Sequence, residues 1–327
     1  MTGGWVNSTF KISTVDNKKY ALRVYTKDYM NRSTNALIFE VDLLSHLKKH
    51  RLPVPKVCTF QHSSETDSEV AKKGIHVTQD GYYSVLFEFV EGVKFVNGQP
   101  EHPRTRQKWQ ALKIAQYLGN QHKLTRDNIE WKNESRCAID YIEIKDHMLH
   151  DHPDWAAKHP DIFAKIGNIY NRLLFLDDPS QREEFVQRLK TVPQGVIHAD
   201  LHDENVVFDA AEQQVAAVLD FDDAFYGPLI ADVAQSIFCW CFVGNEFDLE
   251  LTRAFMNEYQ KSRGFGFTTD EWKMIVPLYY ITGVMQLNYM TELLVDPEEI
   301  WMIEDTTETM EKMIEIGEKK FVELMQS

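Results

Sequence analysis

The strongest chemical signal in the chain is the polar stretch HADLHDEN at residues 198–205, which lies between two short apolar runs. Asp200 and Asn205 are five residues apart in it, and Asp220 ends the next apolar run, twenty residues after Asp200. Phosphoryl transfer from ATP needs a carboxylate to accept the acceptor's proton, and oxygen ligands for Mg²⁺. Asp200 suits the first role, whereas Asn205 and Asp220 suit the second. The spacing therefore predicts an ATP- and Mg²⁺-dependent phosphotransferase.

Three more polar residues near this stretch are accessory candidates. His198 is expected to form hydrogen bonds that shape the loop, and His202 either takes part in the site or lies on the surface. Asp222 could contact a second metal ion or the acceptor, although turn formation alone also explains an aspartate there.

The charge of the chain limits its partners. The 327 residues carry a formal net charge of −15, and the excess of acidic residues lies after residue 90. Nucleic acids and anionic membranes bind basic surfaces, so neither is predicted as a partner. Acidity permits a pocket for a cationic substrate, but it also describes an ordinary solvated surface.

Other features of the sequence indicate a cytoplasmic protein. No apolar run is long enough to span a membrane, and the first residues, MTGGWVNSTFKI, lack the apolar core of a signal peptide. The four cysteines are too few and too scattered for a disulfide framework.

The apolar pattern predicts two lobes. Residues 1–91 indicate a strand pair turning at Asp16-Asn17, a helix over 33–50, a flexible loop over 61–74 and a strand pair turning at Asp80-Gly81. Residues 92–327 are mostly helical in period, with helices over 105–124, 160–190 and most of 247–327 around a strand-rich segment at 195–224. An α+β protein with a ligand cleft between its lobes is predicted.

The polar stretch resembles the catalytic loop, H-x-D-x-x-x-x-N, of the aminoglycoside phosphotransferase and choline kinase-like family. The residues LDF at 219–221, GP at 227–228 and DVA at 232–234 resemble its metal-binding segment. The resemblance implies the protein-kinase-like fold, with a small antiparallel-sheet amino-terminal lobe and a larger, mostly helical carboxy-terminal lobe. It also implies Asp200 as catalytic base, Asn205 and Asp220 as Mg²⁺ ligands, and Asp232 as a buried brace.

The resemblance extends to the nucleotide-binding lobe. Arg23 stands where the family has its phosphate-gripping basic residue, and Glu40 matches the acidic residue that orients it. GGWVNSTFKI takes the place of the nucleotide-covering loop, and LFEFVEG that of the hinge that holds adenine by its backbone. The implied nucleotide contacts in these two segments are Gly4, Asn7, Ser8, Thr9, Glu88, Phe89 and Val90.

Two departures from the family pattern stand out. The gripping residue is arginine and not lysine, so the usual Lys–Glu pair becomes Arg23–Glu40, unless Arg23 is only a strand residue that faces solvent. The nucleotide-covering loop begins at residue 3, so the first strand of the lobe is expected to be missing, or the chain to begin late.

The acceptor is predicted to be a hydroxyl group of a small molecule such as an amino alcohol, an amino acid or a sugar-like compound. The sequence most resembles the homoserine-kinase-like and stress-response-kinase-like branches, so a Ser/Thr protein kinase is one alternative. Only eleven residues separate Asp220 from Asp232, which is short for a peptide-docking segment. Two further alternatives to a small-molecule kinase are a non-catalytic nucleotide-sensing module and a carboxylate-bridged metal hydrolase. The aromatic candidates for the acceptor site, each equally explained by core packing, are Trp240, Tyr279, Tyr280 and Trp301.

Overall fold

The structure is a computed structural model. It describes residues 7–25, 34–59, 69–95, 107–132, 157–243, 246–293 and 300–326. Among these residues, no helix is long and apolar enough to cross a membrane.

An antiparallel sheet of four strands forms the amino-terminal part, in the order β1-β2-β4-β3. The strands are β1 (Ser8–Ser13), β2 (Lys19–Tyr25), β3 (Ile75–Val77) and β4 (Tyr83–Glu88). Both predicted turns are present, with Asn17 and Gly81 at left-handed φ angles of 62° and 78°. Asparagine and glycine tolerate this conformation better than other residues, which explains the two turn positions.

Helix α1 (Thr34–Lys49) lies between strands β2 and β3 in the chain, as predicted, and joins the same hydrophobic core. Residues three and four positions apart share one face of a helix, and here that face is buried. Its buried apolar residues include the predicted Leu37, Val41, Leu44 and Leu47. Glu40 lies on the same face at only 2% exposure, so α1 carries a carboxylate into the interior.

The predicted flexible loop over 61–74 is wrong in part. Glu69–Lys72 form a single helical turn, α2, directly before β3, whereas residues 61–68 lie outside the described residues. A one-turn helix is too short to produce a helical repeat in the sequence, so the polar composition alone suggested a loop.

In the described ranges of the carboxy-terminal part, there are three short antiparallel strand pairs. They are β5 (Gln194–Ile197) with β8 (Phe225–Pro228), β6 (Val206–Asp209) with β7 (Gln214–Val218), and β9 (Phe242–Val243) with β10 (Glu246–Phe247). Strand β8 was not predicted, because its four residues, FYGP, contain a glycine and a proline, which usually mark a turn.

Helices make up most of this part, as predicted. They are α3 (Lys108–Thr125), α4 (Pro160–Tyr170), α5 (Pro179–Thr191), α6 (Leu229–Trp240), α7 (Leu249–Arg263), α8 (Thr269–Leu293), α9 (Ile300–Ile316) and α10 (Glu318–Gln326). Helix α6 is buried along its whole length, so it forms the centre of the helical part.

The connector after β4 is fixed to strand β6. The Val93 N–H donates to the Phe208 carbonyl and the Phe208 N–H donates to the Val93 carbonyl, both at 2.9 Å. Gly92 lies so close to β6 that a Cβ atom on it would be 2.5 Å from Val207 Cγ1 and 2.6 Å from the Phe208 carbonyl oxygen. The sheet and the helical part therefore meet at β6, the strand that follows residues 198–205.

Replacement of Gly92 by alanine should lower the free energy of unfolding by about 2–4 kcal/mol, because it adds a steric clash to a φ angle of 154°. Gly167→Ala is the control. Its Cβ would meet nothing within 4 Å in helix α4, so it should leave stability unchanged or raise it by about 0.5–1 kcal/mol. Urea unfolding of the two variants measures the difference, and equal stabilities would contradict the close approach.

Candidate active site

The strands bring the three predicted oxygen donors to one place. Residues 198–205 join β5 to β6, and Asp220 follows β7, the partner of β6. The Leu219 N–H donates to the Asn205 carbonyl at 2.8 Å, which fixes the end of β7 to the end of the loop. Ala199 and Asp220 both have a left-handed φ of 64°. Such angles cost energy in residues other than glycine and occur often at functional sites.

Asp200, His202 and Asn205 form one hydrogen-bonded cluster in the loop. Asn205 Nδ2 donates to the Asp200 carbonyl at 2.9 Å and to Asp200 Oδ2 at 2.8 Å. His202 Nε2 lies 3.3 Å from the same carboxylate oxygen, and His202 Nδ1 lies 3.6 Å from Asp203 Oδ1. The Asn205 amide nitrogen is thus used within the loop, so its side-chain oxygen is the atom suited to a metal ion.

The electrostatics of this cluster favour an ionised Asp200. Burial would raise the pKa of Asp200, but the His202 and His198 imidazoles outweigh it and hold the pKa below its usual value. Burial would lower the pKa of His202, but Asp200 and Asp203 outweigh that effect and raise it to about 10. At neutral pH, Asp200 is therefore a carboxylate beside an imidazolium, with a free lone pair for a proton.

The loop's main chain is held by Asp232, which is buried in α6. Asp232 accepts hydrogen bonds from the N–H groups of His198 at 2.6 Å and Ala199 at 2.9 Å. The His198 ring, itself fully buried, lies 2.9 Å from the Leu219 carbonyl through Nε2 and accepts from the Asp200 N–H at 3.2 Å through Nδ1. These contacts correspond to the bracing expected of Asp232 and the loop-shaping role expected of His198.

Two more side chains of α6 contact the loop. Gln235 Nε2 donates to the Ala199 carbonyl at 2.8 Å, and Gln235 Oε1 accepts from the Leu201 N–H at 3.3 Å. Trp240, a candidate for the acceptor site, is 1% exposed, and its indole N–H donates to the Leu201 carbonyl at 2.8 Å. Gln235 was not predicted, although its position three residues after Asp232 places both on one helix face.

Asp232 also ties the loop to helix α3 through His122. Its Oδ2 lies 3.1 Å from His122 Nε2, and His122 Nδ1 lies 2.8 Å from the Tyr259 hydroxyl. Burial lowers the pKa of His122 against the opposing effect of Asp232. Folding therefore keeps this imidazole neutral under conditions in which the unfolded chain would protonate it.

This depressed pKa predicts that acid weakens the fold. The unfolded chain takes up a proton on His122 near pH 6.5 and the folded chain does not, so His122 lowers the free energy of unfolding as the pH falls below that value. The loss ends once the pH reaches the pKa of the folded state. Because other histidines titrate too, the test is the difference between wild type and His122→Gln in urea unfolding at several pH values. A pH-independent difference would contradict the prediction.

Arg23 reaches from β2 to Asp220 and Asp222, which follow β7. Its Nη2 lies 2.6 Å from Asp220 Oδ1 and 2.8 Å from Asp222 Oδ2, and its side chain is 12% exposed. Burial raises the pKa of Asp220, with Asp222 acting in the same direction and Arg23 against it. Arg23 is therefore not a solvent-facing strand residue, because its guanidinium lies against both acidic side chains.

The expected Arg23–Glu40 pair is only marginal. Arg23 Nη1 lies 4.0 Å from Glu40 Oε1, whereas the Tyr25 hydroxyl lies 3.1 Å from both oxygens of the Glu40 carboxylate. The cause is the arginine itself, because its long fork reaches past Glu40 to Asp220 and Asp222. Sequence reasoning did not include Tyr25 in the site, although it lies two residues after Arg23 on β2.

The predicted nucleotide contacts have varied environments. Gly4 lies outside the described residues, and Ser8 and Thr9 are exposed on β1. Asn7 is 6% exposed, and its Nδ2 donates to Asp222 Oδ2 at 2.7 Å.

The hinge amides are partly used within the protein. The N–H groups of Glu88 and Phe89 donate to the carbonyls of Lys56 at 2.9 Å and Lys19 at 3.2 Å. The Glu88 side chain is exposed and lies 2.7 Å from Lys56 Nζ. Val90, whose N–H makes no bond to another residue of the described ranges, is the hinge residue best able to donate to an adenine.

The donor set fits Mg²⁺ bound together with phosphates. Asp220, Asp222 and Asn205 offer oxygen atoms, which Mg²⁺ prefers, and they include no sulfur or imidazole donor. Within the described ranges, no group of three or more His, Cys, Asp or Glu side chains is arranged to hold a metal ion unaided. Mg²⁺ usually takes one or two carboxylates and completes its shell with phosphate oxygens and water, so these few oxygen donors are sufficient here.

The four-stranded sheet, the loop between β5 and β6 and the brace from α6 define a kinase-like phosphotransferase. The family described as the phosphotransferase enzyme family, APH, matches residues 1–270, and the chain belongs to this family. The homoserine kinase of Paraburkholderia phytofirmans is 24% identical over 274 residues, which are 81% of this chain and 72% of that protein.

Solved structures share the fold at low sequence identity. The amicoumacin kinase hAmiN, in complex with AMP-PNP, Ca²⁺ and Ami, has a TM-score of 0.62 and 16% identity, over 95% of this chain and 87% of that one. A microcompartment-associated aminopropanol kinase has a TM-score of 0.59 and 18% identity, over 94% and 93% of the two chains. Both likenesses confirm the predicted kinase-like fold.

Proposed function

We propose that the protein transfers the γ-phosphate of ATP to a hydroxyl group of a small molecule that also carries an amine. The observation that carries the proposal is the Asp200–His202–Asn205 cluster beside Asp220, with Arg23 extending from the sheet above it. Phosphoryl transfer depends on positioning and on charge compensation, and this arrangement provides residues for both.

Asp200 is the residue proposed to accept the proton of the acceptor hydroxyl. Its ionisation is supported by His202, and its orientation by Asn205 Nδ2 at 2.8 Å from Oδ2. General base catalysis requires such a group within hydrogen-bond reach of the hydroxyl. A non-catalytic nucleotide sensor would have no use for this carboxylate, so the cluster favours an enzyme over that alternative.

The nucleotide is proposed to lie between the sheet and the β6–β7 pair. Val90 of the hinge would hold the adenine, Arg23 would contact the phosphates, and Asn205 and Asp220 would hold Mg²⁺, with Asp222 close by. When bound, Mg²⁺ neutralises phosphate charge. Residues 1–91 would form the nucleotide-binding lobe, and residues 92–327 the lobe with the catalytic loop and the acceptor site.

The acceptor is proposed to be an amino alcohol or a hydroxylated amino acid. Two proteins to which the chain is similar are named for such compounds, a homoserine kinase and an aminopropanol kinase. The net charge of −15 favours a cationic acceptor over an anionic one. A Ser/Thr protein kinase is less well supported, because the short segment after Asp220 runs directly into β8 and the buried helix α6.

The free thiols of Cys58, Cys239 and Cys241 suit a location in the reducing cytoplasm.

A coupled assay of ADP release tests the proposal. The purified chain is incubated with ATP and Mg²⁺ and with homoserine, aminopropanol, choline, a hexose or a Ser/Thr-containing protein. We expect ADP release that depends on Mg²⁺ and is stimulated by an amino alcohol or by homoserine. Stimulation by the protein alone would favour the protein-kinase alternative, and ATP binding without any turnover would favour the sensor.

A further inference from the structure

We propose that the Arg23 guanidinium and a divalent cation compete for the Asp220–Asp222 carboxylate pair, and that nucleotide phosphates relieve this competition by drawing Arg23 away. Arg23 would then couple metal binding to nucleotide binding. This inference rests on the proposed function, because it takes the nucleotide phosphates as the alternative partner of Arg23.

The first observation is that one nitrogen atom serves both carboxylates. Arg23 Nη2 lies 2.6 Å from Asp220 Oδ1 and 2.8 Å from Asp222 Oδ2. Asn7 Nδ2 donates to the same Asp222 oxygen at 2.7 Å. The guanidinium therefore occupies one oxygen of each carboxylate, and its positive charge would repel a divalent cation bound to the same pair.

The second observation is that Arg23 has donors to spare. Its Nε atom is buried and has no acceptor among the described residues, and its Nη1 lies 4.0 Å from Glu40 Oε1. A guanidinium binds a phosphate through two parallel N–H groups, so a phosphate group offers a partner that matches its fork. Glu40, held by Tyr25, lies near Arg23 Nη1 and offers the guanidinium a second anion.

These two observations predict a coupling between ligands. A metal ion alone must displace a guanidinium that is only 12% exposed from its ion pair with the two carboxylates, which makes metal binding weak. When the metal ion binds together with a nucleotide, the phosphates bind Arg23, and the two carboxylates are then free to bind the metal ion. Because coupling between two ligands is reciprocal, the metal ion should strengthen nucleotide binding by the same factor.

The test is metal binding without nucleotide. Mn²⁺, followed by electron paramagnetic resonance, is titrated into wild type, Arg23→Gln and Lys18→Gln. Lys18 lies in the exposed turn between β1 and β2, where it pairs with Asp16, so this control removes the same charge from the same sheet. We expect Arg23→Gln to bind Mn²⁺ about tenfold or more tightly than wild type, within the usual range of such couplings, while Lys18→Gln matches wild type.

The effect of Arg23→Gln on nucleotide affinity should be opposite to its effect on Mn²⁺ affinity. By calorimetry, Arg23→Gln should bind AMP-PNP more weakly than wild type, and Mn²⁺ should strengthen that binding less in the variant. Unchanged Mn²⁺ affinity in Arg23→Gln, or an equal gain in Lys18→Gln, would overturn the competition. Failure of wild type to bind AMP-PNP with Mn²⁺ would instead contradict the proposed function, since the nucleotide-free titration does not depend on it.

A second variant covers a failure of Arg23→Gln to fold. Arg23→Lys keeps the charge but is shorter and has no planar fork, so it should hold the two carboxylates less well. Its melting temperature should rise with added Mn²⁺ alone by more than that of wild type. An equal rise in the two proteins would count against the proposal.

Discussion

Asp200→Asn should lower kcat by about 10²- to 10⁴-fold, the usual contribution of a general base, while AMP-PNP binding stays close to that of wild type. The asparagine keeps the size of the side chain but cannot accept the hydroxyl proton. It also removes the negative charge of Asp200 beside His202, so the raised pKa of the His202 imidazole should fall, although Asp203 still acts to raise it. The ADP-release assay with the best acceptor measures the first effect, and calorimetry with AMP-PNP measures the second.

Asp209→Asn is the matched control for this experiment. Asp209 ends β6 on an exposed surface, where its carboxylate accepts from the N–H groups of Ala211 and Glu212 in a turn. Asparagine can accept the same bonds, so activity should stay at the wild-type level. Wild-type turnover in Asp200→Asn would remove Asp200 from the role of base, whereas a loss in both variants would indicate an indirect effect.

Asp232→Ala should lower the free energy of unfolding by about 3–5 kcal/mol, the usual cost of removing one partner of a buried charged network. Three donors lose their acceptor at once, namely the N–H groups of His198 and Ala199 and the His122 ring. A buried donor without an acceptor bears its full desolvation cost. Urea unfolding measures the effect, and Asp232→Asn, which keeps one acceptor oxygen, should lose less.

Asp161→Ala provides the comparison for this variant. Asp161 is an exposed acidic residue in the first turn of α4, so its loss should cost at most about 1 kcal/mol through the helix dipole. Equal costs for the Asp161 and Asp232 variants would show that the loop does not depend on Asp232. A large loss in Asp232→Ala together with wild-type kcat would show that the brace affects folding alone.

The sequence predicted the antiparallel sheet, the helical region and the polar loop between two strands because each depends on local patterns. The α1 stripe of Leu37, Val41, Leu44 and Leu47 follows directly from helical spacing. Asp200 and Asn205 likewise stay close to each other whatever the rest of the chain does, because both residues belong to one loop between two strands. The roles of the individual site residues remain predictions that the proposed variants test.

The parts that the sequence did not predict depend on distant contacts. Arg23 and Asp220 are 197 positions apart, and no local pattern indicates that an arginine fork will reach Asp220 and Asp222 in preference to Glu40. Strand β8 exists only because β5 lies beside it, and its own residues resemble a turn. Gln235 is a polar residue on a mostly apolar helix, and its role becomes clear only when the structure shows the loop packed against that face.

The support that α6 gives to the loop has a consequence for changing substrate preference. Asp232, Gln235 and Trp240 bond to peptide groups of residues 198–201, and every amino acid except proline supplies the same peptide donors and acceptors. Exposed side chains around the loop can thus be exchanged while its backbone keeps its course. A library that randomises those side chains and leaves α6 intact should yield mostly folded members, from which enzymes for new alcohols can be selected.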